Sequence, residues 1–270
     1  MPVPSSLRGR EFPYWLAAAV ALGVFAAIVI ASSDLYSQII LICSKGVAIT
    51  VFVTAVSFAL ACLVGLVFAV MALSGSRTLR EVSRFYVEII RGVPILVLLF
   101  YIAFVGAPAL VTAVNWLATP VRDTGLVGEL RTRDLSFLWR AIIALTIGYS
   151  AFIAEVFRAG ILAVDPGQVE AANALGLKRW HRFRFVVMPQ AIRTILPPLG
   201  NDFVAMVKDS SLVSVLGVAD LTQIGKVYAS GSFRFFETYS IVAYLYLILT
   251  VSLSLALRAL ERRMRRHAAG

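Results

Sequence analysis

Hydrophobic and polar positions along this chain fall into long blocks rather than alternating, and the blocks set the expected elements. Tyr14 to Ala31 is an uncharged run of 18 residues, and no charged residue stands between Lys45 and Arg77. Both runs suit a helix that crosses a hydrocarbon core, which takes about 20 predominantly apolar residues. A third uncharged stretch lies between Arg91 and Arg122, where Pro94 and the Gly106-Ala107-Pro108 group predict a helix over about 95 to 113. Ala141 to Ala163 predicts a fourth, with Glu155 and Arg158 near its end, and Tyr239 to Leu257 predicts a last one. Residues 191 to 219 are apolar but interrupted by Pro197-Pro198, Asp202, Lys208 and Asp209. That is the pattern of a broken helix lined by protein or water rather than lipid. The expected fold is all-α and integral to the membrane, with about six transmembrane helices.

Six spans fix the sides, because cytoplasmic flanks carry the excess of Lys and Arg. With the N-terminus inside, the inner flanks hold Arg8 and Arg10; Arg77, Arg80, Arg84 and Arg91; Lys178, Arg179, Arg182 and Arg184; and Arg262, Arg263, Arg265 and Arg266, fourteen in all. The outer loops hold six: Lys45, Arg122, Arg131, Arg133, Lys226 and Arg234. Both termini are therefore expected in the cytoplasm. The first run also has the layout of a cleaved signal, with basic residues before it and Ala31-Ser32-Ser33 after it, but 18 apolar residues favour a retained anchor.

Composition supports the membrane reading and narrows the rest. Sixty per cent of the residues are hydrophobic and 15% are charged, against about a quarter in soluble domains. The net charge of +10 and pI near 10.1 belong with cytoplasmic flanks and lipid headgroups, and nucleic acid is not an expected partner. Cys43 and Cys62 lie in or beside apolar segments without metal spacing and read as packing residues. His181 and His267 stand in basic surroundings with no second ligand type at helical spacing, so no metal site is expected.

The most polar interior segment runs from Asp165 to Pro189. Asp165-Pro166-Gly167-Gln168 supplies a capping residue, proline at the first helical position and Gln three residues after the cap. A short helix should start there, run through Glu170-Ala171-Ala172, and stop at Gly176, the residue suited to a left-handed end. A second helix from about Lys178 mixes basic residues with Trp180, Phe183 and Phe185 until Pro189 limits it. Two uses fit these properties: a protruding element gripped by another protein, or a pair of interfacial helices with arginines on lipid phosphates.

The spacing of Glu170-Ala171-Ala172, Gly176 and Val186-Val187-Met188-Pro189 resembles the EAA signature of the membrane subunits of ABC importers, with Val186 and Met188 in place of the usual Ile and Leu. Four further stretches, at 86 to 95, 153 to 161, 197 to 203 and 208 to 217, are similar to the polar amino-acid branch of that family, the histidine and glutamine permeases. The resemblance spans about residues 43 to 262. It implies an importer core of five helices over 43–262, plus one N-terminal helix within an added region 1–42 that also holds a tail and an outside loop. A coupling loop over 165–189 and a basic cytoplasmic tail over 263–270 complete the organisation. Against the family, the N-terminal span is extra and the outside loop of about 114 to 139 is longer.

What the resemblance implies about function is division of labour in a bacterial inner membrane. A separate cytoplasmic ATP-binding subunit, holding ATP and Mg, would dock on Glu170, Ala171, Ala172 and Gly176, with Val186, Met188 and Pro189 behind them. An external binding protein would deliver a polar amino acid, and a second permease chain would complete the pathway. No phosphate-cradling GxxxxGK[ST] sequence occurs, so the chain is expected to be a transport subunit and not itself an enzyme, with no cofactor of its own. Candidate pathway residues are Asn201, Asp202, Lys208, Asp209 and Ser210, since charges within a membrane segment are functional candidates by default. On a helix, Asn201 and Lys208 share one face, while Asp202 and Asp209 share its neighbour. Lys208 is expected to pair with Asp202, Asp209 or another helix, and Glu155 with Arg158 and Glu88 with Arg91 are expected as local ion pairs. The alternative is an ion-coupled secondary amino-acid transporter using Asp202 and Glu155, and a third reading is a scaffold that recruits a cytoplasmic partner.

Overall fold

The computed structural model describes residues 14–122 and 128–266; Arg8, Arg10, His267 and the end of the basic tail lie outside the described residues. Every regular element among the described residues is helical. The chain begins with α1 (Tyr14–Ser32), α2 (Asp34–Ser44) and α3 (Val47–Ala72), followed by α4 (Arg77–Gly92). A continuous helical stretch then comprises α5 (Ile95–Tyr101), a π turn (Ile102–Gly106) and α6 (Ala107–Leu117), and the short α7 (Thr119–Arg122) follows it. After α8 (Phe137–Leu162) come α9 (Pro166–Ala174), α10 (Arg179–Arg182), a second π turn (Phe183–Val187), α11 (Met188–Asp209) and a 3-10 segment (Ser210–Leu216). The chain closes with α12 (Leu221–Ser232) and α13 (Phe235–Arg266).

Among the described residues, four stretches are long and apolar enough to cross a membrane: Asp34–Ala72, Ile95–Leu117, Phe137–Leu162 and Phe235–Leu260, with a shorter apolar run at Val20–Ser32. Their outward faces carry large apolar side chains, among them Phe25, Leu63, Val67, Val251 and Leu255, as lipid contact requires.

α3 and α8 form the central pair. The buried face of α3 is made of small side chains, Thr50, Thr54, Ser57, Ala61, Gly65 and Ala69, at helical spacing. Without water to drive association, such a stripe brings helices together by letting backbones approach closely. At Gly65 a Cβ would stand 2.9 Å from the Ser150 carbonyl oxygen and 2.9 Å from Ile153 Cγ2. Ile153, Tyr149, Ala61 and Met206 pack into one core cluster, which joins α11 to this pair.

Several elements depart from the sequence expectation. Residues 34–42, expected within an outside loop, lie in α2, whose Ile39 and Cys43 pack against Leu221, Ile241 and Val242. The helix expected over 95 to 113 runs on to Leu117, and Gly106-Ala107-Pro108 does not end it. Pro189 does not limit the second helix, and Pro197-Pro198 do not break the third, since α11 carries both inside. At Pro108 and Pro189 the cause is local widening: each π turn sits two to six residues before its proline. There the proline ring would clash with the carbonyl four residues earlier in a regular α-helix. Pro189 and Pro108 then stand in the first turn of a new α segment, where a missing N–H breaks no ladder bond.

Candidate functional site

α9 stands at the end of the bundle that α8 leaves and α11 enters. Its start is capped by Asp165, whose carboxylate accepts a hydrogen bond from Gly167 N at 2.7 Å, with Pro166 as the first helical residue. Its end is closed by Gly176 in the left-handed conformation, φ 74°. Leu177 N donates to Ala172 O at 3.1 Å and Gly176 N donates to Asn173 O at 2.9 Å, the bond pair of a Schellman motif. The helix is fixed from beneath through Val169, which joins Val164, Val187, Ala191 and Ile195 in a small core. The Arg182 guanidinium bonds Asn173 Oδ1 from the following segment.

What α9 leaves exposed matters more than what it buries. Glu170 and Ala171 are exposed, Ala172 is buried, and Leu175 is 81% exposed beside the exposed Gly176. Met188 and Pro189 are exposed and Val186 is half-buried where the π turn passes into α11. The residues of the expected docking motif are therefore gathered at one end of the molecule, on a short helix with both ends tied down.

α11 brings the second set together along the bundle. Asn201 and Lys208 are exposed, while Asp202 and Asp209 are half-buried, as one helix surface with two adjoining faces requires. Asp209 accepts a hydrogen bond from Tyr149 Oη of α8 at 2.7 Å, so its partner is a tyrosine and not Lys208. No ion pair to Lys208 exists among the described residues, which corrects that expectation. One carboxylate oxygen of Asp202 is buried without a hydrogen-bond partner. Ser210 is buried and donates to Val207 O at 2.7 Å, turning the chain into the 3-10 segment. Glu155 and Arg158 form the expected pair at 2.7 Å. Glu88 and Arg91 do not; the Arg91 guanidinium lies over the Phe152 ring, 5.4 Å from its centre.

Three polar anchors escaped sequence reasoning. Arg140 of α8 is buried, and its guanidinium donates to Leu135 O, Ala103 O and Thr132 O, which ties the loop before α8 to the first π turn. Asp220 is fully buried; it caps α12 through Gln223 N and accepts from Tyr246 Oη at 3.2 Å. Tyr86 shares a 2.6 Å hydrogen bond with Ser150 while its ring stacks on Phe68. Each has at least one partner on a distant element, Ala103, Tyr246 or Ser150, so only the lone polar residue in an apolar run marks it in the sequence. Among the described residues, no group of three or more His, Cys, Asp or Glu side chains is placed to hold a metal.

The model of the binding-protein-dependent transport system inner membrane component family matches residues 61–266. The chain belongs to that family. Among this family's characterised members, the glutamine transport system permease protein GlnP of Escherichia coli (strain K12) is 37% identical over 221 residues, covering 82% of this chain and 92% of the relative. The probable amino-acid permease protein YxeN of Bacillus subtilis (strain 168) is 34% identical over 220 residues, covering 82% and 90%. A crystal structure of an amino acid ABC transporter with histidines superposes with a TM-score of 0.69 at 36% identity, covering 87% of this chain and 98% of that one. An inward-facing structure of the MetNI methionine ABC transporter shares the fold, with a TM-score of 0.64 at 22% identity over 86% and 99% of the two chains. As a transport-system inner membrane component, the chain is a multi-pass membrane protein, and its all-α fold is that of the family's ABC transporter structures.

Proposed function

We propose that the chain is the permease subunit of an ATP-driven ABC importer of polar amino acids. A cytoplasmic ATP-binding subunit, which holds ATP and Mg, docks on α9 through Glu170, Ala171 and Gly176, with the buried Ala172 seating the helix, and the segment of Val186, Met188 and Pro189 transmits its movement to α11. An external binding protein delivers the amino acid, and a second permease chain completes the pathway. This end of the bundle, with both termini, faces the cytoplasm. Asn201, Asp202, Lys208, Asp209 and Ser210 line the route, because charges within a membrane segment mark pathways and all five stand in the second half of α11 or directly after it.

The observation that carries the reading is α9 itself. A nine-residue helix is too short to be stable alone, and its cap, its glycine stop and its seat on α11 make it a rigid protrusion. Small side chains on its exposed side let another protein's backbone approach closely, and Glu170 supplies a charge for that protein to recognise.

The test is uptake by vesicles reconstituted with the permease, its ATP-binding subunit and its binding protein. Uptake should require ATP and survive collapse of the ion gradients. Gly176→Val forces a β-branched residue into a left-handed position, and should leave ATP hydrolysis running while uptake falls by about tenfold or more, given a strain of roughly 1–2 kcal/mol at the lever's end. Uptake that follows the ion gradient without ATP would establish the secondary transporter instead, and normal uptake by Gly176→Val would exclude the lever.

A further inference from the structure

At the end of the bundle that carries α9, a cavity of about 300 Å³ opens between α4 and α8. That size is at the low end for small-molecule pockets, which begin at roughly 300 Å³. One wall is the charged face of α4, with Arg80, Glu81, Arg84, Glu88 and Arg91, and the facing wall carries the Glu155–Arg158 pair.

These charges divide into those already committed and those free. Arg80 Nη1 donates to the carbonyls of Ser74 and Gly75, both at 2.9 Å. Glu155 and Arg158 satisfy each other through two bonds at 2.7 and 3.1 Å. Glu81, Arg84 and Glu88 have no hydrogen bond or ion pair with any described residue, although Glu81 to Arg84 and Arg84 to Glu88 are three and four apart on one helix. Such spacing ordinarily closes local pairs. Here an arginine fork and two carboxylates stand open beside a void.

The backbone that carries them is fixed. Ser83 Oγ donates to Phe68 O at 2.7 Å, Tyr86 bonds Ser150, and the Tyr86 ring stacks on Phe68 at 3.8 Å with 4° between the planes. Leu79, Val82, Phe85 and Ile89 occupy the apolar exposed side of the same helix, so the charged face is turned away from lipid. A phosphate entering the cleft would meet three carboxylates, and a simple cation would meet four guanidinium groups. A small zwitterion meets its match: a carboxylate on the Arg84 fork and an ammonium on Glu88 or Glu81.

We propose that this cleft is a second amino-acid site, on the product side of the membrane, where the transported amino acid binds after release and holds further import back. The proposal rests on the importer reading above. It gives the permease a sensor of the internal pool that is separate from the polar residues of α11.

The experiment uses the full transport complex in vesicles that enclose ATP. Amino acids are first screened for ATP-driven accumulation, and vesicles are then preloaded with millimolar amounts of the one accumulated. Preloading should slow initial uptake by about fivefold or more, the lower bound of ordinary coupling between sites. Arg84→Ala and Glu88→Ala should take up the amino acid at the native rate in unloaded vesicles and lose less than about twofold on preloading. Preloading with inorganic phosphate or with putrescine, each of a single charge sign, should leave the native rate unchanged. Native uptake indifferent to preloading, or variants inhibited as strongly as the native complex, would overturn the site. A variant slowed equally in loaded and unloaded vesicles would show a structural role for the side chain and overturn it too. If no amino acid is accumulated with ATP, the importer reading itself fails.

Discussion

Arg140 joins three backbone carbonyls from two places in the chain, Thr132 and Leu135 in the loop before α8 and Ala103 in the first π turn. The bond to Ala103 O is buried, and a buried group left without its partner costs about 1–3 kcal/mol. Arg140→Ala should therefore lower the thermal unfolding midpoint of the purified protein, and Arg140→Lys should not restore it, because a single ammonium cannot span a planar fork's positions. Tyr149 offers the parallel case on the proposed route. Tyr149→Phe removes the hydroxyl that donates to Asp209, and a hydrogen bond to a charged group is worth about 1.5–3 kcal/mol. The half-saturating concentration for uptake should rise about tenfold or more, with helix content by circular dichroism unchanged. Neither role was legible in the sequence, where Arg140 is one basic residue near a span and Tyr149 one aromatic within it. The buried partner of Arg140, Ala103, is 37 residues away and that of Tyr149 is 60, and hydropathy records only that a polar atom is present.

At the level of elements, local chemistry was readable and interrupted helices were not. The cap at Asp165, the proline after it and the stop at Gly176 are short-range features, and the structure places all three where the residues required. The reciprocal bond from the Gln168 side chain, the other half of a capping box, does not form among the described residues. Pro189, Pro197 and Pro198 misled because the rule against interior prolines presumes a straight, solvent-exposed helix. Inside a membrane bundle neighbouring helices absorb the lost bond, and at Pro189 a π turn does so as well. Pro189→Ala tests this: the turn at Phe183–Val187 would be free to close as regular α-helix, rotating α10 against α11 by about 100°. Helicity should hold or rise slightly while ATP-dependent uptake falls several-fold, a combination that a simple loss of folding would not give.

For the whole molecule, the central contact of α3 with α8 sets the arrangement of everything else. The stripe from Thr50 to Ala69 has the helical period in plain sight, yet the sequence reads it only as part of an uncharged span. In lipid the period of small residues, not of large ones, marks the buried face, and the large residues Leu63 and Val67 are the exposed ones. Gly65→Leu should wedge the pair apart at Ser150 and Ile153, destabilising by about 1–3 kcal/mol as overpacked cores do. The measurement is thermal unfolding in detergent, with Gly23→Leu as the control, since nothing lies within 4 Å of a Cβ there. The family match begins at residue 61 and leaves α1 and α2 outside it, and α2 nonetheless buries Ile39 and Cys43 against α12 and α13. α2 is thus part of the packed body rather than a tether beside it.

The π turn at Ile102–Gly106 has one consequence for how this protein can change in length. A π turn holds one residue more than the α-helical turn it replaces, so everything after it is already phased as though an insertion had been accepted there. Removing one residue from Ile102–Gly106 together with Pro108→Ala should let the stretch close as α-helix with α5 and α6 keeping their faces. The same deletion in the middle of α8 would turn every following side chain by about 100° and scatter its buried face. Expression and uptake of the two shortened chains should therefore differ sharply, and the first π turn would be the place where this membrane helix can gain or lose a residue without losing its neighbours.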